Sequence, residues 1–373
     1  MKRSLRTVPV LASAIVSVSL LAACAAPGTA ADDAPADGPA AHDPGPAQTV
    51  DPEAALRPLT VYSNSLTEER AAWLVEAAAE VGFDVQTLNM GGGDLTNRIL
   101  SEVANPVADV VFGLNQVFFE RLVAADVFEE FTPAWADLVT PDAGTERGLF
   151  WPIAQEATML VYDTAAFPDG DGPTDWPDLW NDERFHGRHH LADHLGGANT
   201  QMALTGILYR YRDDSAELGV APEGWAAIQA FFATVSRGVP GEDMFARFAN
   251  EEVVAGPMWC AGLPPREATY GITAGAARPE IGVPMVFQSI GIINGTAHRE
   301  TAHDFVDWFG SAEVQAAWSR EFFTVPTNRD ALPTANPDAV ALTTSFGVQD
   351  IDWLFVTEHL DSWVEHIELQ YAG

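Results

Sequence analysis

The sequence predicts an α/β fold built on a mainly parallel sheet with helices on its faces. Three observations carry this. Strand, loop and helix patterns alternate three times between Leu59 and Val123; a second run with the same rhythm fills residues 156–282; and the loops after the first three strands, Ser63-Asn64-Ser65, Gly91-Gly92-Gly93-Asp94 and Gly113-Leu114-Asn115, all fall at one edge of such a sheet. In sheets of this kind ligands gather in the loops beyond the carboxyl ends of the strands.

The elements follow in order. Residues 59–62 form the first strand. Ser65 and Glu68 have the spacing of a capping box. Trp73, Leu74, Ala77, Ala78 and Val81 then recur at helical spacing until Gly82 closes the helix. Residues 83–88 are the second strand, and 91–94 are a loop before a helix through Leu95, Ile99 and Val103. Residues 109–112 are a short buried strand, 113–115 a loop, and Phe118, Leu122 and Val123 mark the next helix. In the second run, His190-Leu191-Ala192 is a strand, 196–200 a loop, 201–211 a helix, and 253–259 a strand passing into a loop. Residues 283–293 make a buried strand leading back, 301–309 a helix, and 353–369 a terminal amphipathic helix with Trp363 and Ile367 inward. No repeat of solenoid period occurs.

The ends carry an address. Lys2, Arg3 and Arg6 precede an apolar stretch at 11–20, too short for a permanent span. The stretch ends in Leu21-Ala22-Ala23-Cys24, which resembles the lipobox of bacterial lipoproteins. That resemblance implies a signal peptide over 1–23, acylation of Cys24, and anchorage of the mature chain at the outer face of the cytoplasmic membrane. The alternative is an ordinary secretory signal cut further on. Residues 24–57, rich in Ala, Pro, Asp and Gly, read as a disordered tether. With Cys24 lipidated, the other cysteine, Cys260, is alone and no intramolecular disulfide forms. The net charge of -34 argues against nucleic acid and anionic headgroups as partners.

Several short segments, in a common order along the folded part, resemble a known family. These are Val61-Tyr62-Ser63, the run 91–112 with Ala108-Asp109-Val110, and Trp176-Pro177-Asp178-Leu179 followed by Phe185-His186-Gly187-Arg188. Further on come Phe305-Val306-Asp307-Trp308-Phe309-Gly310-Ser311 and Pro326-Thr327-Asn328. Together they resemble the type 2 periplasmic solute-binding proteins, in the group of ferric-iron, thiamine and phosphonate binders. The resemblance implies two α/β lobes, 58–155 with 283–373 and 156–282. They would be joined by crossings near Gln155 and Gln288 and would close on a small solute that an ABC permease then receives. It implies a monomer, without cofactor or resident metal.

Candidate contacts follow from the loops. Ser63, Asn64 and Ser65 offer hydroxyls, an amide and helix N-terminal N–H groups to an anion or polar head, or simply cap a helix. Gly113 and Asn115 occupy the matching loop, and Gly92 and Gly93 allow close backbone approach or a tight turn. Gly197, Asn199 and Thr200 open a helix toward the cleft. Trp259 stacks on a ring or cation, or packs in the core. Arg266 and Tyr270 meet a carboxylate or phosphonate, or pair with surface acids. Gln155, Glu156, Gln288 and Ser289 sit at the crossings. Thiamine-like cations suit the acidic chain and Trp259, while small anions suit the helix N-termini and Arg266.

Ferric-iron binding is the alternative within the family. The resembled iron binders usually carry an adjacent Tyr pair, whereas Tyr209 and Tyr211 lie two apart within a helix and Tyr270 stands alone; an organic solute is favoured. His186, His189, His190 and His194 match no zinc spacing and read as a solvated or half-buried loop. Outside the family, a secreted hydrolase using Cys260 or a serine is the competing class. No nucleophile elbow, zinc-helix motif or P-loop occurs, so no enzyme activity is expected. A receptor-coupled sensor has the same sequence signature as a transporter.

Overall fold

The computed structural model describes residues 56–139 and 147–371. The leader, the lipobox with Cys24, and the tether up to residue 55 lie outside the described residues. Arg57, placed at the tether's end, already starts the first strand.

The first βα rhythm gives β1 (Arg57–Ser63), α1 (Glu68–Glu80), β2 (Phe83–Asn89), α2 (Gly92–Glu102), β3 (Val110–Asn115) and α3 (Gln116–Ala124). The long β4 (Trp151–Asp163) follows, then α4 (Asp178–Asn181), β5 (His189–Leu191), α5 (Ala198–Leu208), α6 (Pro222–Thr234), β6 (Val235–Arg237), α7 (Met244–Ala249), β7 (Ala255–Trp259), α8 (Leu263–Tyr270) and β8 (Ala274–Ala276). The chain returns through β9 (Met285–Ile292), α9 (Arg299–Phe309), α10 (Ala312–Phe322), β10 (Val325–Pro326), α11 (Pro337–Thr344) and α12 (Trp353–Gln370).

Strand order is β2-β1-β3-β9-β4-β7-β5-β6, with β10 and β8 also on β4. The expected parallel pairings are β1 with β2 and β3, and β5 with β6 and β7. Between them β9 and β4 run antiparallel to each other and to their outer neighbours. The first half of β4 pairs with β9 and β10 and its second half with β7 and β8, so one strand belongs to both groups.

Local chemistry differs from the sequence expectation at three turns. Thr67, not Ser65, is the N-cap of α1, and it makes no side-chain cap, so the capping box does not form. The glycines at 92 and 93 are the first turn of α2 and not a loop, and 113–115 continue β3. At Gly113 the backbone takes φ +91°, and the ladder with β9 shifts register between Phe112 and Asn115. The strand thus bends there without ending.

Four apolar clusters fill the layers. Val61, Phe112, Phe305, Phe309 and Trp318 centre one, and Leu95, Val111, Phe118 and Phe119 another. Phe245, Phe248, Met258 and Cys260 centre a third. In the largest, Leu160, Trp176, Phe185, Leu204 and Phe231 pack with Val356, Leu360, Trp363 and Ile367 of α12, the inward stripe expected of the terminal helix. Asp109, just before β3, ties β1 to the turn after β9. Its carboxylate accepts from the Thr60 N–H at 2.7 Å, from the Thr296 hydroxyl, and from His298 Nδ1 at 3.2 Å.

Candidate functional site

The ends of β1, β3 and β7 and the first turns of α2 and α5 open on one cavity of about 1220 Å³. It lies against β4 where that strand changes partners. Glu156 faces Val286 of β9, Thr158 faces Trp259 of β7, and all four line the cavity. Alternation of side chains decides which crossing residues reach it. Glu156 and Thr158, with Val286 and Gln288, line the space, whereas Gln155 and Ser289, one residue out of phase, do not. Ser289 is fully buried, and its hydroxyl has no partner among the described residues.

Asn64 and Ser65 line the cavity; Ser63 supports them from beneath, its buried Oγ accepting the Ser65 N–H at 2.9 Å. The Ser65 hydroxyl lies 3.2 Å from Asn64 Oδ1 and 3.3 Å from Gln288 Oε1, which ties the first loop to β9. Gly113 makes room for this, since a Cβ there would sit 2.6 Å from Ser65 Oγ and 2.9 Å from Ser63 Oγ. Asn115 lines the cavity while its Oδ1 accepts the N–H groups of Val117 and Phe118, capping α3. Gly92 also lines it and lies flat against Phe118; Gly93 turns instead toward the Gly196 carbonyl, 3.1 Å from where a Cβ would be.

On the other side Gly197, Asn199 and Thr200 line the cavity, and Asn199 Nδ2 donates to the Pro257 carbonyl at 2.9 Å. Trp259 forms a wall. The Arg266 guanidinium lies 4.7 Å from its ring centroid, and Nε of Arg266 donates to Asp243 at 2.8 Å. Arg266 therefore already has a carboxylate partner. Tyr270 packs on the cluster around Phe245 and does not line the cavity. The four histidines diverge. His186 meets the Trp180 carbonyl, His189 the Thr234 hydroxyl, and His190 the Arg247 guanidinium, while His194 reaches the cavity. Cys260 is buried against Met159, and burial pushes its thiol up to about 12, far from a nucleophile's range.

The residue that the sequence did not reveal is Arg70. Its guanidinium donates to the Ser65 carbonyl at 3.4 Å and the Phe322 carbonyl at 3.1 Å. It lies over the Phe322 ring at 5.2 Å and the Trp318 ring at 5.8 Å. No carboxylate pairs with it among the described residues. Loss of water around it lowers its proton affinity, Glu156 opposing and Arg266 adding to the effect, but a guanidinium stays cationic. Trp73, packed on Trp318 at 5.4 Å, and Phe322 complete this aromatic wall. Phe323, in the left-handed region at φ 59°, turns the chain at the cavity's edge.

Two sources of positive potential accompany Arg70. Helices α2 and α5 begin at Gly91 and Gly197 with no side-chain cap among the described residues, and their first turns line the cavity. Glu156 is the buried acid of the site. Only 3% exposed, it accepts the Ala261 N–H at 3.2 Å on Oε2, while Oε1 has no partner among the described residues. Burial pushes its carboxyl up to about 7, with the Ala261 N–H and Arg70 pulling the other way. Glu68, Glu69 and Glu321 lie at the exposed rim.

Residues 72–344 match the family described as "Bacterial extracellular solute-binding protein". A relative from Sinorhizobium fredii (strain NBRC 101917 / NGR234), the "Probable ABC transporter periplasmic-binding protein y4fP", is 31% identical over 312 residues, covering 84% of this chain and 86% of that protein. Among solved structures, the periplasmic binding protein P5PA superposes with a TM-score of 0.71 at 20% identity, covering 84% of this chain and 99% of the other. Iron-bound HitA from Pseudomonas aeruginosa gives 0.70 at 17%, covering 83% and 99%. AfuA from Actinobacillus pleuropneumoniae with fructose-6-phosphate bound gives 0.67 at 18%, covering 83% and 98%. The distant structures share the fold. The family match and the closer relative carry more: this chain belongs to the bacterial extracellular solute-binding proteins and serves as the substrate-binding protein of an ABC transporter.

Proposed function

We propose that the protein captures a small organic anion, its phosphate, phosphonate or carboxylate group seated between Arg70 and the N-termini of α2 and α5. The observation that carries this is Arg70, a cation held in the cavity wall by backbone carbonyls and aromatic rings with no acid paired to it among the described residues. The uncapped first turns of α2 and α5 add N–H donors that suit an anion's oxygens. A sugar phosphate in the similarly folded AfuA supports the same class. Ser65, Asn64, Gln288, Asn199 and Thr200 supply neutral polar contacts, and Trp259, Trp73 and Phe322 an apolar wall.

The division into lobes 58–155 with 283–373 and 156–282 belongs to this reading, β4 and β9 being the hinge strands about which the cleft shuts. The terminal helix α12 packs on both lobes: its apolar stripe lies on the second, and its Asp361 pairs with Arg121 of the first at 3.2 Å. Acylated Cys24 holds the protein at the outer face of the cytoplasmic membrane, where a permease meets it. A Cys24→Ser chain that still fractionates with membranes would refute the anchor.

The ligand class is tested by a thermal-shift screen followed by calorimetry on sugar phosphates, phosphonates, dicarboxylates, thiamine and ferric ion. A rise in melting temperature with an organic anion is expected. Arg70→Met should weaken that binding about 10- to 100-fold, the worth of charge-assisted hydrogen bonds. A shift with thiamine or bare ferric ion alone, or unchanged binding by the Arg70 variant, overturns the reading.

A further inference from the structure

We propose that Glu156 is a specificity-determining hydrogen-bond donor, which meets the solute's anion as a neutral acid so that capture carries a proton into the cleft. This rests on the reading of an anionic solute and assigns a second contact to it. The geometry is that of an unfinished site. Glu156 lines the cavity at the turning point of β4, is 3% exposed, and has one carboxyl oxygen held by the Ala261 N–H at 3.2 Å. The other oxygen is buried with no partner among the described residues, a state that a folded chain rarely tolerates. A group brought by the solute completes it.

The charged surroundings decide which form Glu156 takes. Arg70 on α1 is the cation that acts on it, and Cys260, in the turn after β7, is a neutral thiol. From β9 the facing residue is Val286, and from the second half of β4 it is Thr158, neither of which titrates. No arginine or histidine pairs with Glu156 among the described residues. Burial outweighs Arg70 and pushes the carboxyl up to about 7. An anion drawn in by Arg70 would repel an ionised Glu156, itself only 3% exposed, and would accept a hydrogen bond from the neutral acid. Binding therefore raises the proton affinity of Glu156 further. Below pH 7 the proton is already in place and affinity is flat; above it, each captured anion must also take up a proton.

The test uses the full chain and sulfate, whose charge does not change over the range studied. Calorimetry should show constant affinity below pH 7 and about tenfold weaker binding for each pH unit above it. At pH 8, buffers of different ionisation enthalpy should report uptake of close to one proton per sulfate. Glu156→Gln should bind at pH 8.5 as the native protein does at pH 6, with no pH dependence. If sulfate binds, Arg70→Met weakens it, and yet no proton is taken up, the role of Glu156 is refuted while the anion site stands. If sulfate fails to bind at any pH, or binds regardless of Arg70, both readings fall. Should Glu156→Gln not fold, the proton count on the native chain decides alone.

Discussion

Replacing Glu156 by Gln in the empty protein should raise its stability, and the size of the gain should depend on pH. Native Glu156 releases its proton near 7, whereas in the unfolded chain it does so near 4.5. The folded state thus binds more protons than the unfolded one between these values, and stability drains away as pH rises from 4.5 to 7. At 1.36 kcal/mol per unit, ionising Glu156 costs the folded protein about 3 kcal/mol at pH 8. Gln keeps the acceptor for the Ala261 N–H, has nearly the same volume, and never ionises. Urea denaturation should therefore find Glu156→Gln about 3 kcal/mol more stable than the native chain at pH 8.5, and within about 1 kcal/mol of it at pH 4, with equal m-values throughout. The many other carboxylates titrate alike in both proteins and cancel in the difference. Two curves that stay parallel from pH 4 to 8.5 would mean that Glu156 is not held near neutrality, and the proton-linked capture proposed above would lose its basis.

Gly113→Ala should destabilise the fold by about 2 kcal/mol or more, because the side chain meets both φ +91° and the Ser63 and Ser65 hydroxyls; thermal unfolding reads it, and a neutral effect would contradict the loop geometry. Trp73→Ala should cost about 2 kcal/mol through lost ring contacts with Trp318 and Phe322 and should weaken solute binding with it, as calorimetry and urea melts together would register. Cys260 should resist a thiol reagent in the native protein at pH 8 and react at once in guanidinium, since it is 1% exposed and its thiol is pushed up to about 12; fast native labelling would place it elsewhere.

Much of the scaffold was legible because its signals are local. The apolar runs at 59–62, 83–88 and 283–293 are strands that the core covers, and the stripe ending in Trp363 and Ile367 faces inward as its spacing demands. The loops at the strand ends line one cavity, which their position in the pattern implies. What failed was finer. Ser65 and Glu68 have capping-box spacing, but the helix starts only at Glu68 with Thr67 before it, and the Ser65 hydroxyl lies instead against Asn64 and the distant Gln288. Gln155 and Ser289 stand out of phase with Glu156 and Gln288, and a sequence does not say which phase of a strand faces the cavity. Arg70 was invisible for the same reason on a larger scale. In the sequence it is one more charge after Glu68 and Glu69, and only the carbonyl and rings supplied by α10 make it a fixed cation.

The pairing of Arg70 and Glu156 that does not happen is the feature from which the chemistry of this cleft follows. Opposite charges lining one cavity attract, and a direct ion pair would satisfy both. Here Arg70 is held away from that solution: its donors go to the Ser65 and Phe322 carbonyls, and Trp318 and Phe322 fix its plane. Glu156, held by the Ala261 N–H, is left short of a partner and close to neutral. Had the two met, an arriving anion would first have to break their bond and would then face a bare carboxylate. Kept apart, both groups are available to one ligand group, which in the proposed reading would accept from each. On that reading, stability given up by leaving the two groups unpaired would be returned as differential affinity for the ligand-bound form, the quantity that would drive the proposed hinge equilibrium toward closure.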